Sequence, residues 1–327
     1  MSVPMWAWIA VIGGLLVVLA VDLWIVDRGE AREFSMRQAG YWVTFYVALA
    51  VIFGGVLWGV FGAGKAGEFF AGYITEYSLS VDNLFIFFII MSRFAVPRAY
   101  QHKVLLVGIL LALVMRGVFI ALGAAALERF SWLFYVFGAF LVYTAVNLVR
   151  EHLKDEEEEF NENLLLRWVR RAFPTTEGYV GSKVTVKIDG RRMVTPMLIV
   201  MVAIGTTDLL FALDSIPAIF GLTQDPFIVF TANAFALMGL RQLYFLLGGL
   251  LQRLVYISYG LAFILGFIGV KLILEALHAS GVSWAPEIPI WVSLTIIGAT
   301  MVITTVASLI NARLTSSKGE ETQPEQV

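Results

Sequence analysis

The sequence contains no cysteine and few charged residues. Without cysteine the chain can form no disulfide, no thiolate metal site, no iron–sulfur cluster and no cysteine nucleophile. Charged residues make up only 15% of the 327 positions, whereas soluble domains carry about 25%. Hydrophobic residues reach 59% and the mean hydropathy is +0.81. These values exclude an ordinary soluble fold and indicate an integral membrane protein surrounded by a lipid bilayer.

The chain also lacks a strong charge bias and the common nucleotide-binding motifs. Its net charge is −2, so it has no basic excess of the kind that nucleic-acid binding requires, and we expect no nucleic-acid partner. No segment of the Walker type is present, which argues against ATP hydrolysis by this chain. Only three histidines occur, and none lies near the acids discussed below. We therefore expect a protein that is not an enzyme.

Hydrophobic runs of the length needed to cross a bilayer recur along the chain. A spanning helix takes about 20 apolar residues. Nine segments meet this requirement and predict an all-α membrane protein with nine transmembrane helices: 5–26, 40–61, 68–92, 103–126, 131–149, 196–219, 227–250, 255–277 and 288–311.

Positive charge in the connections predicts the orientation of these helices. Eighteen of the 23 Lys and Arg residues lie in alternate connections and in the C-terminal tail, whereas Lys65 and Arg129 lie on the other side. Since cytoplasmic loops carry the excess of Lys and Arg, the N-terminus is expected outside and the C-terminus inside. An odd number of helices follows from the same alternation.

Two polar stretches interrupt the hydrophobic runs and repeat one another. Glu76 to Asn83 (EYSLSVDN) and Asp208 to Ser215 (DLLFALDS) each carry two acids six residues apart, and the offset between them is 132. Further on, Tyr135 to Glu151 aligns with Tyr259 to Glu275. The sequence thus predicts a 3+3 repeat, with helices 3–5 (68–149) and helices 6–8 (196–277). Three helices is an odd number, so the copies would be inverted, as in many transporters, unless the similarity is chance.

Acids inside membrane helices require compensation, because each costs roughly 2.5–3.5 kcal/mol at the bilayer centre. A bound cation would supply it, and ligands that are all oxygen suit magnesium, calcium or manganese. Two alternatives remain at this level. Arg116 and Arg241 could bridge the acids permanently as a clamp between helices, or the acids could be protonated and relay protons. Lys271 is expected to pair with Glu275 one helical turn away.

The regions outside the spans are short. Residues 1–149 and 196–311 hold the helices, and 150–195 form a cytoplasmic connection. Within it, Lys183 to Val194 (KVTVKIDGRRMV) has alternating β-branched residues around Asp189-Gly190, which predicts a hairpin. A lone hairpin is marginally stable, so this connection is a candidate surface for protein partners. Residues 312–327 are expected to form a disordered cytoplasmic tail.

The polar stretches resemble the motifs of the TerC/Alx family, which is often placed with the LysE-type transporters. The first motif matches Glu76 to Phe87 (EYSLSVDNLFIF), and the second matches Thr195 to Pro217, followed by DPFIVF and NAFALMGLRQLYF. The resemblance implies a multi-pass exporter of manganese in the inner (plasma) membrane. Calcium stays a further candidate substrate on the grounds of the oxygen ligands, and we expect no resident cofactor. The motif positions expected to handle the ion are Glu76, Asp82, Asn83, Asp208, Asp214 and Ser215.

The resemblance also carries a second function. Some relatives are linked to tellurite resistance or to an alkaline pH response, and others are described as assembly or metalation partners of other proteins. The alternative to transport is therefore a membrane scaffold that acts on partners through residues 150–195.

Overall fold

The structure is a computed structural model that describes residues 3–28, 36–130, 132–153, 174–176, 178–188, 191–247, 256–282 and 284–320. Within these ranges, the side chains of 22–28, 36, 82, 151–153, 191, 247 and 313–320 are not described. The helices are α1 (Met5–Arg28), α2 (Met36–Phe61), α3 (Ala63–Arg93), α4 (Arg98–Arg129), α5 (Leu133–Leu153), α6 (Pro196–Phe220), α7 (Pro226–Met238), α8 (Leu240–Leu247), α9 (Ile257–Ala279) and α10 (Ile290–Glu320). The strands are β1 (Thr185–Ile188) and β2 (Arg191–Val194).

Long apolar helices dominate the described part of the chain. Eight of them are long and apolar enough to cross a membrane, with α7 and most of α8 counted together as Pro226–Leu246. Helix α1 contributes a shorter apolar stretch, Met5–Val21. The chain is therefore an all-α, multi-pass membrane protein. The count of nine spans stays a prediction.

Helix α7 lies at the centre of the bundle and α10 at its edge. In the apolar window of the α7 and α8 span 94% of the residues are buried, against 11% in that of α10. Helix α3 packs on α7, α6, α2 and α10, and α4 packs on α6 and α7. The polar stretches of α3 and α6 thus lie inside the bundle.

The directions of the central helices follow from their contacts. Helices α3 and α7 run parallel, and so do α4 and α6, because residues further along one helix meet residues further along the other. The pairs that establish this are Gly72 with Ala232, Tyr77 with Gly239, Gly108 with Ile204, and Gly123 with Phe220. Helices α3 and α6 are antiparallel, because Glu68 near the start of α3 contacts Thr223 just beyond the end of α6, whereas Gly72 further along α3 lies beside Ile219 earlier in the chain.

A hairpin and its neighbouring loop attach to the turn between α3 and α4. Strands β1 and β2 pair antiparallel on either side of 189–190, which lie outside the described residues. The Tyr179 hydroxyl donates to the Phe94 carbonyl at 2.8 Å, and Lys103 Nζ donates to Ser182 Oγ at 3.1 Å. Burial raises the pKa of Tyr179, so its phenol stays a donor at neutral pH. The loop before the hairpin is therefore tied to both ends of that turn.

Two predicted boundaries differ from the structure or lie beyond it. Helix α10 continues to Glu320, so the predicted tail at 312–327 begins inside this helix. Of the predicted connection 150–195, residues 154–173 lie outside the described part of the chain.

Candidate functional site

Arg116 of α4 joins acids from two other helices in the interior of the protein. Its Nη2 donates to Asp208 Oδ1 at 3.0 Å and its Nε donates to Asp208 Oδ2 at 3.2 Å. Its Nη1 donates to Glu76 Oε1. The exposed fractions are 1% for Arg116, 0% for Glu76 and 2% for Asp208. The bidentate contact with Asp208 is the geometry that a guanidinium favours with a carboxylate.

Two neutral acceptors complete the surroundings of this guanidinium. Nη1 of Arg116 also lies 3.2 Å from Ser215 Oγ and 3.5 Å from Asn233 Oδ1. Glu76, Asp208, Ser215 and Asn233 thus direct five oxygen atoms at one cationic group. They come from α3, α6 and α7, and Arg116 comes from α4, so the site lies where four helices meet.

The charges at this site do not balance. Two carboxylates and one guanidinium leave a net charge of −1 if all three are ionised. Breaking a buried ion pair by removing one partner costs about 3–5 kcal/mol, because the remaining charge is left uncompensated. The site is therefore built to hold positive charge between Glu76 and Asp208.

Several buried oxygen atoms beside this site have no hydrogen-bond partner in the structure. They are Glu76 Oε2, Thr75 Oγ1 and Ser80 Oγ, all on α3, and each residue is at most 1% exposed. Glu76 and Ser80 are four residues apart and share a face of the helix. Buried polar atoms are normally paired, so three orphaned oxygens on one stretch of helix mark a place where a ligand could bind.

Of the other sequence-predicted ligands, Asp214 and Asn83 make no hydrogen bond with Arg116 among the described side chains. Asp214 is half-buried and accepts a hydrogen bond from Thr144 Oγ1 of α5 at 3.2 Å. Asn83 is buried, with 6% exposed, and the side chain of Asp82 lies outside the described residues. The structure therefore brings Glu76, Asp208 and Ser215 together and leaves Asp214 on the side that faces α5. Among the described side chains, no three of Asp, Glu, His and Cys are grouped so that they could hold a metal.

The position of Arg116 matches what the clamp alternative predicts for this arginine. It occupies the space between the acids in which an ion was expected.

The predicted pairing of Lys271 with Glu275 is confirmed, with 3.0 Å between Nζ and Oε1. Lys271 also donates to the carbonyl of Gly221 at 2.9 Å, which anchors the end of α6.

Comparison with known proteins identifies the family. The model of the integral membrane protein TerC family matches residues 61–316. The chain belongs to the TerC family. It is 46% identical over 314 residues to an uncharacterized membrane protein of Mycobacterium tuberculosis (strain ATCC 25618 / H37Rv), covering 91% of this chain and 79% of the relative. It is 36% identical over 324 residues to the Escherichia coli (strain K12) protein Alx, whose name describes a candidate membrane-bound redox modulator, covering 96% and 97%. No solved structure matches the chain.

The match to the TerC family covers every residue around Arg116. Glu76, Arg116, Asp208, Ser215 and Asn233 all lie within 61–316. The sequence indicated Arg116 as an opposing charge and as one member of a clamp between helices, and it did not single out Asn233. The available signal was a polar residue inside the apolar run 227–250, and this asparagine is 1% exposed.

Proposed function

We propose that this TerC family protein is a secondary transporter that exports divalent metal cations, with manganese as the favoured substrate. The ion would bind in the interior of the bundle, on oxygen atoms of Glu76, Asp208 and Ser215. Asp82, Asn83 and Asp214 would take part in the ion's path through the same helices. Manganese is a borderline-hard dication that accepts carboxylate, hydroxyl and carbonyl oxygen ligands, which are the ligands available here.

The observation that carries the proposal is the meeting of Glu76 and Asp208 at one guanidinium. These acids are 132 residues apart, hold equivalent places in the two polar stretches, and are buried in different helices. Equivalent acids that converge from two copies of a unit are expected at the repeat interface of a transporter, where substrates and coupling ions bind.

Packing between the helices supports the inverted repeat. Gly72 corresponds to Ile204 under the offset of 132. If the offset of 124 that relates Tyr135 to Glu151 with Tyr259 to Glu275 extends back to α4, Gly108 corresponds to Ala232. A Cβ added to Gly72 would lie 3.2 Å from Ala232 Cβ, and one added to Gly108 would lie 2.7 Å from Ile204 Cγ2. The contact between α3 and α7 therefore has an equivalent between α6 and α4, as expected if the two copies are related by a two-fold axis.

Helices α5 and α9 support the repeat in the same way. Val142 corresponds to Gly266, and Ala145 to Gly269, again under the offset of 124. A Cβ added to Gly269 would lie 2.9 Å from Val142 Cγ2, and one added to Gly266 would lie 3.6 Å from Ala145 Cβ. The two helices are antiparallel, as a two-fold axis in the membrane plane requires.

The direction of transport is assigned from the charge pattern and the resemblance. The excess of Lys and Arg favours a cytoplasmic position for the connection 150–195 and the C-terminus, and the proposed membrane is the plasma membrane. Export from the cytoplasm would be driven by proton exchange. A membrane potential that is negative inside opposes the exit of a dication by about 2.3 kcal/mol per elementary charge per 100 mV, so it contributes only through the protons that enter in exchange.

A flux assay in proteoliposomes tests the proposal. The purified protein is reconstituted with a manganese-quenched dye inside, manganese is added outside, and the wild type is compared with Glu76→Gln and Asp208→Asn. Both substitutions keep the shape of the side chain but remove its charge, so the flux should fall at least tenfold. Calcium, magnesium and an imposed pH gradient are tested in the same vesicles to rank substrates and identify the coupling ion.

Glu128→Gln serves as the matched control, because Glu128 lies near the end of α4 and is exposed. Its flux should equal that of the wild type. Wild-type vesicles with no manganese flux, or Glu76→Gln and Asp208→Asn vesicles with full flux, would contradict the proposal.

A scaffold function is the second candidate, and one feature of the hairpin favours it. Strand β1 pairs with β2 on one side only within the described residues, and Lys187 and Ile188 are exposed. An open strand edge can accept a strand from a partner protein. Ile188→Glu should abolish a scaffold function in cells, read as growth with tellurite or at alkaline pH, while manganese flux in vesicles is unchanged. Retained growth would argue against the scaffold.

A further inference from the structure

We propose that Arg116 is an internal competitor of the transported cation. It would leave the carboxylates of Glu76 and Asp208 when the ion enters and return to them when the ion leaves. This inference rests on the proposed transport function and gives Arg116 a role in the transport cycle rather than a purely structural one.

The first argument is that the arginine and a dication would use the same acceptors. The guanidinium takes one oxygen of Glu76 and both oxygens of Asp208. A manganese ion binds carboxylate oxygens through the same lone pairs. An ion therefore cannot gain full coordination by these two acids while Arg116 holds them. Occupation by the one cation excludes occupation by the other.

The second argument concerns the carrier without its ion. Two buried carboxylates in the membrane interior would repel each other and lack solvation if no cation lay between them. The guanidinium is always protonated, so it neutralises part of this charge at every pH at which the protein works. Arg116 would thus allow the ion-free protein to change between its two orientations without unpaired acids at its centre.

The third argument is that the displaced guanidinium already has other acceptors. Nη1 of Arg116 lies near Ser215 Oγ and Asn233 Oδ1, which are both uncharged. These groups could retain the guanidinium after the carboxylates turn to the ion. A short rotation of one side chain would then be enough, and the ion would not have to draw a charged arginine through the bundle.

The orphaned oxygens of α3 supply a first contact for the ion. Glu76 Oε2 and the hydroxyls of Thr75 and Ser80 are buried and have no hydrogen-bond partner in the structure. An arriving cation can bind these atoms while Arg116 still holds the opposite oxygen of Glu76. Exchange could therefore proceed stepwise, so the site would not have to be empty at any stage.

The consequence for affinity can be estimated. If the acids are free of Arg116 only about a tenth of the time, the apparent dissociation constant for the ion is about tenfold higher than that of a permanently open site. Removing the competitor should tighten ion binding. It should also slow release, because no internal cation returns to displace the ion, and transport should fall.

The experiment measures manganese binding and flux for the wild type and Arg116→Gln. Binding is determined by equilibrium dialysis of manganese(II) chloride against protein in lipid nanodiscs, and flux by the vesicle assay above. Arg116→Gln should bind manganese about tenfold more tightly than the wild type and transport it at least fivefold more slowly. Lys271→Gln is the matched control, because Lys271 is a buried cation whose partners are Glu275 and the Gly221 carbonyl. It should leave manganese affinity unchanged.

The outcomes separate the two proposals. Suppose that the wild type transports manganese and that Arg116→Gln binds manganese no more tightly than the wild type. The competitor role is then overturned, the transport function is retained, and Arg116 is a structural clamp. If the wild type shows neither manganese binding nor manganese flux, both proposals are overturned. If Arg116→Gln is not monodisperse, Arg116→Lys is judged by the same criterion. A lysine cannot hold Asp208 with two N–H groups, so binding tighter than in the wild type supports competition and unchanged or weaker binding rejects it.

Discussion

Gly138 of α5 and Gly269 of α9 bring the backbones of two antiparallel helices into direct contact. A Cβ added to Gly138 would lie 2.8 Å from the carbonyl oxygen of Gly269, and one added to Gly269 would lie 2.7 Å from the carbonyl oxygen of Gly138. In a membrane, where helices gain little from the hydrophobic effect, close approach at small residues is a main source of association. This crossing therefore joins the last helix of one predicted copy to the last helix of the other.

Substitution of either glycine by alanine should loosen this crossing. The neighbouring atom is a backbone oxygen, so relief requires the helices to move apart, and overpacking of this kind typically costs about 1–3 kcal/mol. Gly138→Ala and Gly269→Ala should each lower the midpoint of thermal unfolding in detergent, followed by tryptophan fluorescence. Gly298→Ala in α10 is the control, because nothing lies within 4 Å of a Cβ there. Equal midpoints for all three would show that the crossing is not tight in solution.

Loss of Asp208 should destabilise the protein more than loss of Glu76. Asp208 accepts from two donors of Arg116, whereas Glu76 accepts from one. Asp208→Asn should therefore lower the free energy of unfolding by more than Glu76→Gln, but by less than the about 3–5 kcal/mol of a pair whose remaining charge is left uncompensated, because the other acid still balances Arg116. Urea unfolding in mild detergent measures the difference. Glu275→Gln is the comparison, and it should cost less because Glu275 is 31% exposed. The reverse order would mean that Glu76 carries the main ion pair.

Asp214 should matter for transport but little for stability. Its Oδ1 accepts from Thr144, and asparagine at this place can still accept that hydrogen bond. Asp214→Asn should thus reduce manganese flux at least tenfold while the unfolding midpoint stays within about 2 °C, since stability changes below about 0.5 kcal/mol are expected where no contact is lost. Thr144→Val removes the donor without removing the charge and should transport manganese. Full flux in Asp214→Asn would remove this residue from the ion path.

Hydrophobic length predicts the helices well, because burial in lipid requires continuous apolar runs. The run 103–126 became Arg98–Arg129, since a helix continues past the apolar core into the interface. The interruption at Gly239 could not be predicted, because a single glycine inside a long hydrophobic run is tolerated in a helix and the run 227–250 contains no proline. It depends on how α7 and α8 pack on α2 and α3.

Helical periodicity explains which of the predicted metal ligands lie beside Arg116. Asp208 and Ser215 are seven residues apart and lie on one face of α6, whereas Asp214 is a position earlier and turns toward α5. The sequence allowed a clamp of Arg116 and Arg241 on the acids, but it did not indicate that Arg116 alone would hold both Glu76 and Asp208. The outcome depends on α4 packing against α6 and α7, which neither composition nor spacing reports. Asn233 was missed for the same reason, because its role comes from a neighbouring helix.

The hydrogen bond from Tyr179 to Phe94 should give stability that is lost at high pH. Tyr179→Phe removes a donor that ties the loop before the hairpin to the α3–α4 turn, which typically costs about 1 kcal/mol. Burial raises the pKa of Tyr179 above its ordinary value of 10.0. The folded form therefore binds the phenolic proton more tightly, so its contribution is complete below pH 10 and is lost as pH rises through the folded pKa.

Unfolding midpoints of the wild type and Tyr179→Phe at a series of pH values test this dependence. The difference between them should be constant from neutral pH to about pH 9 and should shrink above pH 10. Tyr41→Phe, at an exposed tyrosine of α2, is the control and should leave the midpoint unchanged at neutral pH. A difference that grows at high pH would contradict the hydrogen bond as its source.

Asn233→Asp should strengthen cation binding at the centre of the bundle. Asn233 Oδ1 already points at Arg116 from 3.5 Å, while its Nδ2 is buried with no hydrogen-bond partner. Aspartate has nearly the same shape, replaces this orphaned donor with an acceptor, and adds a negative charge beside Glu76 and Asp208. A dication gains from the added charge more than the singly charged arginine does. Manganese should bind about tenfold more tightly, which corresponds to about 1.4 kcal/mol. Equilibrium dialysis measures this, with Asn233→Leu as the variant that lacks both polar atoms and should bind no more tightly than the wild type. Weaker binding by Asn233→Asp would mean that the new carboxylate holds Arg116 in place instead of attracting the ion.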